Sequence, residues 1–144
     1  MATVEEMSDR VDIQDLIARY SRAIDTRAWA DLDLLFSPDA WIDYTAMGGI
    51  EGDLGAVKSY LAETFATFGP TQHMMGLPVI ELDGDRAGAV TPCHNPMVIG
   101  EGDDPLLLFC GLVYHEQFVR TPHGWRIENL REERCYMRFF RAKH

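Results

Sequence analysis

The chain is short of cysteine, of positive charge and of long apolar runs, and each shortage argues against a class of protein. Its three cysteines, Cys93, Cys110 and Cys135, are odd in number, widely spaced and free of any Cys-x-x-Cys pair. That pattern argues against a disulfide framework and a structural zinc site, and reads as reduced thiols in a core. Lys and Arg number 13 against 23 Asp and Glu, a formal charge of −10, which disfavours nucleic acid and anionic membranes as partners. No apolar run approaches the roughly 18 residues of a membrane span, and none follows a basic start as a secretory signal would. A cytoplasmic location is the expectation. Repeats, low-complexity tracts and linkers are missing too, so the 144 residues read as one domain, 1–144, long enough to bury a sizeable core.

What basic charge there is gathers late, in Arg120, Arg126, Arg131, Arg134, Arg138, Arg141 and Lys143, as on the solvated face of a strand. Helix signals gather early. Thr3-Val4-Glu5-Glu6 fits a capping box, and Ile13, Leu16, Ile17, Tyr20 and Ile24 recur at helical spacing, predicting a helix over 4–24. Trp29, Leu32 and Leu35 or Phe36 suggest a short second helix ended by Ser37-Pro38-Asp39. Ala40–Tyr44 alternates like a strand, and Val57, Tyr60, Leu61 and Phe65 mark a third helix capped by Asp53. Beyond it the pattern is sheet. Strands over 71–82 and 86–99 flank Asp83-Gly84, a type I′ hairpin signal, and strands over 105–120 and 125–139 flank Thr121-Pro122-His123-Gly124. Helices in front of a long antiparallel meander spell α+β.

Asp25 ends the apolar stripe of the first helix, where a buried carboxylate needs a partner and the helix dipole opposes its charge. His73, in a strand-like apolar run, can be that partner. Alone it would read as a structural histidine; with Asp25 it forms a general base inside an apolar cavity. His115, His123 and His144 carry no such context. Tyr20 lies on the core stripe and either fills space or turns its hydroxyl to a pocket. One of Asp43 and Tyr44 must face inward, and the aromatic fits better. The methionines Met47, Met74, Met75, Met97 and Met137 either fill core or line an adaptable pocket. His73, His94 and Asp25 are also the only metal-ligand set that suggests itself, and the acid–base reading takes precedence over it.

The order Arg19-Tyr20, Ile24-Asp25, Trp29-Ala30-Asp31-Leu32, Phe36-Ser37-Pro38-Asp39-Ala40, Gly84-Asp85 and Gly124-Trp125-Arg126-Ile127 resembles the SnoaL-like branch of the NTF2-like superfamily over nearly the whole chain. Within it the chain is most similar to the scytalone dehydratase group, which includes bile-acid 7α-dehydratase and a hexachlorocyclohexane dehydrochlorinase. The resemblance implies a cone of three N-terminal helices packed in the concave face of a strongly curved, mainly antiparallel sheet. It implies Asp25 and His73 as the catalytic pair and Tyr20 and Tyr44 as hydroxyls that hold substrate or water. It places His94, in Cys93-His94-Asn95, at a second catalytic histidine and Arg134 at a pocket arginine. Each of these two has a plainer reading, His94 in an irregular proline-flanked strand edge and Arg134 on the basic sheet face. Where the scytalone enzyme carries a polar pair, this chain has Gly111-Leu112-Val113-Tyr114, leaving Tyr114 as the polar substrate contact and implying a different substrate.

The expected function is therefore a cofactor-free, metal-free dehydratase acting on a small cyclic or polycyclic hydroxylated apolar molecule. Imidazole, titrating near ~6.5 in water, suits a base working at neutral pH. A ketosteroid-isomerase-like or polyketide-cyclase-like proton shuttle is the alternative, as is a non-catalytic small-ligand module, since one fold hosts many functions. Apolar residues of both parities in 105–118 suggest a sheet covered on both faces. With the family resemblance, they predict a homo-oligomer, a trimer or else a dimer.

Overall fold

Thr3 and Glu6 close a reciprocal cap: the Glu6 backbone N–H donates to Thr3 Oγ1 at 3.1 Å and the Thr3 N–H to Glu6 Oε2 at 2.7 Å. From this cap helix α1 runs Val4–Asp25 in the computed structural model, which describes residues 1–100 and 102–141. Lys143 and His144, named above, lie outside the described residues. The stripe Ile13, Leu16, Ile17, Tyr20 and Ile24 is buried along its length, as a helix with one apolar face requires. The helix closes in a Schellman motif, with the Arg27 N–H on the Ile24 carbonyl at 3.1 Å and the Ala28 N–H on the Ala23 carbonyl at 2.9 Å. The left-handed residue of this motif is Arg27, at φ 60°, where glycine is usual. Its guanidinium offsets that strain by donating to the carbonyls of Ile24 and Gly69 and to Thr71 Oγ1, and by stacking over the Phe65 ring at 4.5 Å.

The second helical segment is a 3-10 turn, Trp29–Leu34. Ser37-Pro38-Asp39 does not separate it from the next strand, as the sequence pattern suggested; all three lie inside β1, Phe36–Asp43. The register of β1 shifts between Phe36 and Trp41, so Pro38 falls where the ladder is interrupted and no N–H is needed. After a 3-10 turn at Thr45–Met47 and the short β2, Glu51–Asp53, helix α2 spans Leu54–Phe65. Asp53 caps it, accepting from the Ala56 N–H at 2.8 Å.

The strand expected over 71–82 is three pieces: β3 Phe68–Thr71, β4 Met74–Met75 and β5 Val79–Asp83, all paired with β6, Arg86–Ile99. The first break occurs where the His73 N–H turns from the ladder to Asp25. The second is at Gly76, where a Cβ would stand 2.7 Å from Pro92 Cγ. Strands β7, Leu106–Thr121, and β8, Gly124–Arg141, complete a sheet of order β2-β1-β8-β7-β6-β3, with β1 parallel to β8 and the other pairs antiparallel. The Asp83–Arg86 pair leaves Gly84-Asp85 as the turn, with positive φ at Gly84 alone. That is the type II′ pattern rather than a type I′ turn on Asp83-Gly84.

Helices on one face of this large mixed sheet make the expected α+β cone. Asp9 ties α1 to the sheet, accepting from Arg120 Nη1 and Nη2 at 2.8 Å and from Trp125 Nε1 at 2.9 Å. β8 carries two bulges. The register steps from Phe118–Ile127 to Gln117–Asn129, leaving Glu128 extra, and from Leu112–Arg134 to Gly111–Tyr136, leaving Cys135 extra. Each bulge re-aims the side chains beyond it. Cys93 and Cys110 are buried as expected, whereas Cys135 is exposed at its bulge. Among the described residues, no helix is long and apolar enough to cross a membrane.

Candidate active site

The break between β3 and β4 aims two side chains of Thr71-Gln72-His73 at one carboxylate. Asp25 Oδ1 accepts from Thr71 Oγ1 at 3.0 Å and from His73 Nδ1 at 2.7 Å, while Oδ2 accepts from the His73 backbone N–H at 2.8 Å. Thr71 Oγ1 in turn accepts from Arg27 Nη1 at 2.7 Å, and the His73 carbonyl accepts from Ser21 Oγ of α1 at 2.8 Å. The histidine is thus clamped by the end of the first helix at both ends of its backbone and through its ring. Burial pushes the Asp25 carboxyl up, but the hydrogen bonds from the His73 ring and backbone and from Thr71 outweigh it and hold the group below its ordinary value. An ionised Asp25 fixes the imidazole with its proton on Nδ1 and its lone pair on Nε2.

The His73 ring lines a cavity of about 140 Å³ formed by both helices and the concave sheet. Its walls are largely apolar: Ile24, Leu61, Phe65, Phe68, Met97, Leu108 and Leu112. Four phenols enter it, Tyr20 from α1, Tyr44 after β1, Tyr60 from α2 and Tyr114 from β7. The Tyr20 and Tyr44 hydroxyls are 2.6 Å apart, and burial drives Tyr20, Tyr44 and Tyr114 above the ordinary phenol value, keeping them protonated. His73, Tyr20, Tyr44 and Tyr114 therefore share one pocket. Asp25 is not on its wall and stands behind His73.

Two expected residues lie elsewhere. His94 does not face the cavity: it sits on the outer face of β6, its Nδ1 2.7 Å from the Tyr136 hydroxyl. In this strand Thr91, Cys93, Asn95 and Met97 point inward, and a period of two sends residue 94 outward. With His94 on the other face, the metal set of His73, His94 and Asp25 is not assembled. Arg134 is exposed next to the Cys135 bulge and donates its Nε to the Ala46 carbonyl at 2.8 Å, outside the cavity wall.

Two residues the sequence reading passed over take their places. Asn95 donates Nδ2 to His73 Nε2 at 2.9 Å, and its Oδ1 is buried without a partner. The inward parity of Cys93 and Met97 was the signal that could have found it. Glu132, buried on the cavity wall, was masked because counting alternation forward from Trp125 and Ile127 puts it outside; the extra residue Glu128 reverses that parity.

A curved mixed sheet closed over helices around an apolar cavity is a fold shared with an NTF2-like superfamily protein from Salmonella enterica, at TM-score 0.76 and 19% identity over 89% of this chain and 92% of that chain. The chain belongs to the SnoaL-like domain family, whose model matches residues 5–131. It is 46% identical over 138 residues to the uncharacterized protein Rv2910c of Mycobacterium tuberculosis, covering 96% of this chain and 93% of that one. Among solved structures it resembles a hexachlorocyclohexane dehydrochlorinase, LinA Type2, with TM-score 0.85 and 18% identity over 99% of this chain and 96% of that chain. The Kfla4162 protein from Kribbella flavida is similar too, at TM-score 0.80 and 24% identity over 92% and 94% of the two chains.

Proposed function

We propose that this protein is a cofactor-free dehydratase whose base is His73, positioned by Asp25, acting on a small cyclic hydroxylated apolar molecule. The observation that carries the reading is the geometry at His73: Nδ1 is held by an ionised carboxylate at 2.7 Å while the ring lines a largely apolar cavity. Asn95 donates to the Nε2 lone pair; a substrate C–H must take its place. The proton leaves carbon for Nε2, and Asp25 stabilises the imidazolium that forms. Tyr20, Tyr44 and Tyr114, neutral and preorganised, supply hydrogen bonds to a carbonyl that gains charge as the proton departs. A cavity of about 140 Å³ compares with the ~150 Å³ cavity that admits benzene in another protein, room for a group about the size of one six-membered ring. The dehydrochlorinase with this fold lends support, since its named reaction is also an elimination.

The test is to incubate the protein with cyclic β-hydroxy ketones and follow the conjugated product by absorbance, with His73→Ala as control. Product formation that His73→Ala abolishes supports the reading. Tight binding of the same compounds without turnover would favour the ligand-binding alternative. A homo-oligomer, trimer before dimer, is also proposed: Tyr136, Phe139 and Phe140 stand 43%, 55% and 49% exposed on β8, and a second copy would cover them. Light scattering at micromolar concentration should give a multiple of 16.3 kDa; a monomer would contradict it.

A further inference from the structure

Glu132 is the cavity residue to which the Asp–His reading gives no task. It is 9% exposed, it lines the same cavity as His73, and its Oε2 is buried with no hydrogen-bond partner. Tyr114 is its cross-strand partner on β7, and the parallel pair Asp43–Arg131 brings Tyr44 alongside it. The titratable groups that act on it or feel it are Tyr20 from α1, Asp43 and Tyr44 from β1 and its end, Cys93 from β6, and Cys110 and Tyr114 from β7. Tyr60 of α2 lines the same cavity. All of these are neutral or acidic. Its basic neighbours on β8 are exposed and neither pairs with it: the Arg131 charge acts on Asp43, and Arg134, whose charge reaches Cys110, donates to the Ala46 carbonyl. A carboxylate here has neither counter-ion nor donor, whereas a carboxylic acid has a proton to give.

We propose that Glu132 is the catalytic general acid of this cavity, delivering its proton to the oxygen that leaves the substrate. The proposal rests on the elimination reading above. His73 Nε2 takes the proton from the carbon beside the carbonyl, and the C–H electron pair becomes the new C=C bond. The C–O bond breaks with its pair on oxygen, and the Glu132 proton joins that oxygen to release water. His73 is left protonated and Glu132 ionised; the proton on Nε2 returns to the carboxylate through water, and the net change is loss of one water from the substrate. Burial, with the Asp43 charge adding to it, pushes the Glu132 carboxyl up to about 8, so the proton is held at neutral pH. The buried phenols are driven above their own higher ordinary value, which makes Glu132 a stronger acid than any of them.

The experiment has two parts. First, the carboxyl carbon of Glu132 is titrated by NMR in the full chain, assigned by its loss in Glu132→Gln. A midpoint near 8 supports the proposal, and one in the ordinary carboxylate range overturns it. Second, β-hydroxycyclohexanone and β-chlorocyclohexanone are compared, since both give the same enone but chloride departs without a proton. Glu132→Gln should lower kcat on the hydroxy ketone by about 10²–10⁴-fold with KM little changed, and lower kcat on the chloro ketone far less. His73→Ala should slow both. In the wild type, kcat on the hydroxy ketone alone should fall as pH rises through 8, a readout that needs no variant to fold. Equal losses on the two substrates would show that Glu132 only shapes the pocket. Failure of the wild type on both would overturn the elimination reading itself, whereas elimination with an ordinary Glu132 midpoint would overturn the acid alone.

Discussion

Asp25 and Glu132 are both carboxyls withdrawn from water, Asp25 half-buried behind His73 and Glu132 buried on the cavity wall, yet they are held in opposite states. Asp25 receives three hydrogen bonds, from Thr71, the His73 ring and the His73 backbone. Glu132 Oε2 receives none. Burial pushes both carboxyls up; at Asp25 the donors reverse the direction, and at Glu132 nothing opposes it. Depth alone does not set the charge of a buried carboxyl; the supply of donors does. A pair of groups with their proton affinities driven apart is what separates acid from base in one site.

The largest break in this contrast is His73→Ala, which removes the group Asp25 serves and should lower the elimination rate about 10²–10⁴-fold with folding intact. Far-UV circular dichroism beside single-turnover kinetics checks both halves. Asp25→Asn should follow, with a loss of about 10²-fold or more, because an amide no longer fixes the Nδ1–H tautomer; the imidazole proton shifts in NMR would report the change. The third concerns stability and pH. The Asp9 and Asp25 carboxyls are lowered in the fold, so the stability they confer is present above 3.8 and lost as pH falls. Glu116, pushed by burial to about 8 against the hydrogen bond from Thr91, works the other way, as does Glu132. Their contribution is full below 4.5 and lost as pH rises toward 8. Glu116→Gln should therefore flatten the decline in Tm between pH 5 and 8, measured by calorimetry. The smallest effect is expected of Arg27→Lys, which keeps the charge but not the fork that grips Gly69, Ile24 and Thr71. About 1 kcal/mol, or roughly a fivefold rate loss through a looser Asp25, is expected.

Much of this was legible along the chain because it is local. The capping box at Thr3, the stripe from Ile13 to Ile24 and the Asp53 cap depend on neighbours a few residues away. The strand over 86–99 kept its predicted bounds, since its long apolar alternation admits one reading. Asp25 and His73 were legible as a pair because a carboxylate at the end of an apolar helix stripe needs a partner, and His73, ordinary alone, could be one. His94 was misplaced for a different reason: the face a strand residue presents is a matter of parity, and parity is set by register across the sheet. At Cys93-His94-Asn95 only the apolar parity of Cys93 and Met97 tells which of the two polar residues points inward. Arg134 shares the parity of Glu132 but lies exposed beside the Cys135 bulge, where it donates to the Ala46 carbonyl. Glu132 was hidden twice over, in a run of charges that looks solvated and downstream of a bulge that only pairing with β7 reveals.

The extra residue Glu128 also bears on how this chain can change over generations. It sits on the outer face with Asn129 and engages Arg86 in an ion pair, so the strand absorbs one residue there without altering what it presents to the cavity. A length change at Glu128 is silent inside; one between Leu130 and Glu132 exchanges an acid for a neighbouring base or apolar group. Insertions and deletions are therefore unequal along β8. Two relatives compared without a gap opposite Glu128 would have their cavity residues matched to solvent-facing ones, so their reaction chemistry would appear to differ where only strand length had drifted.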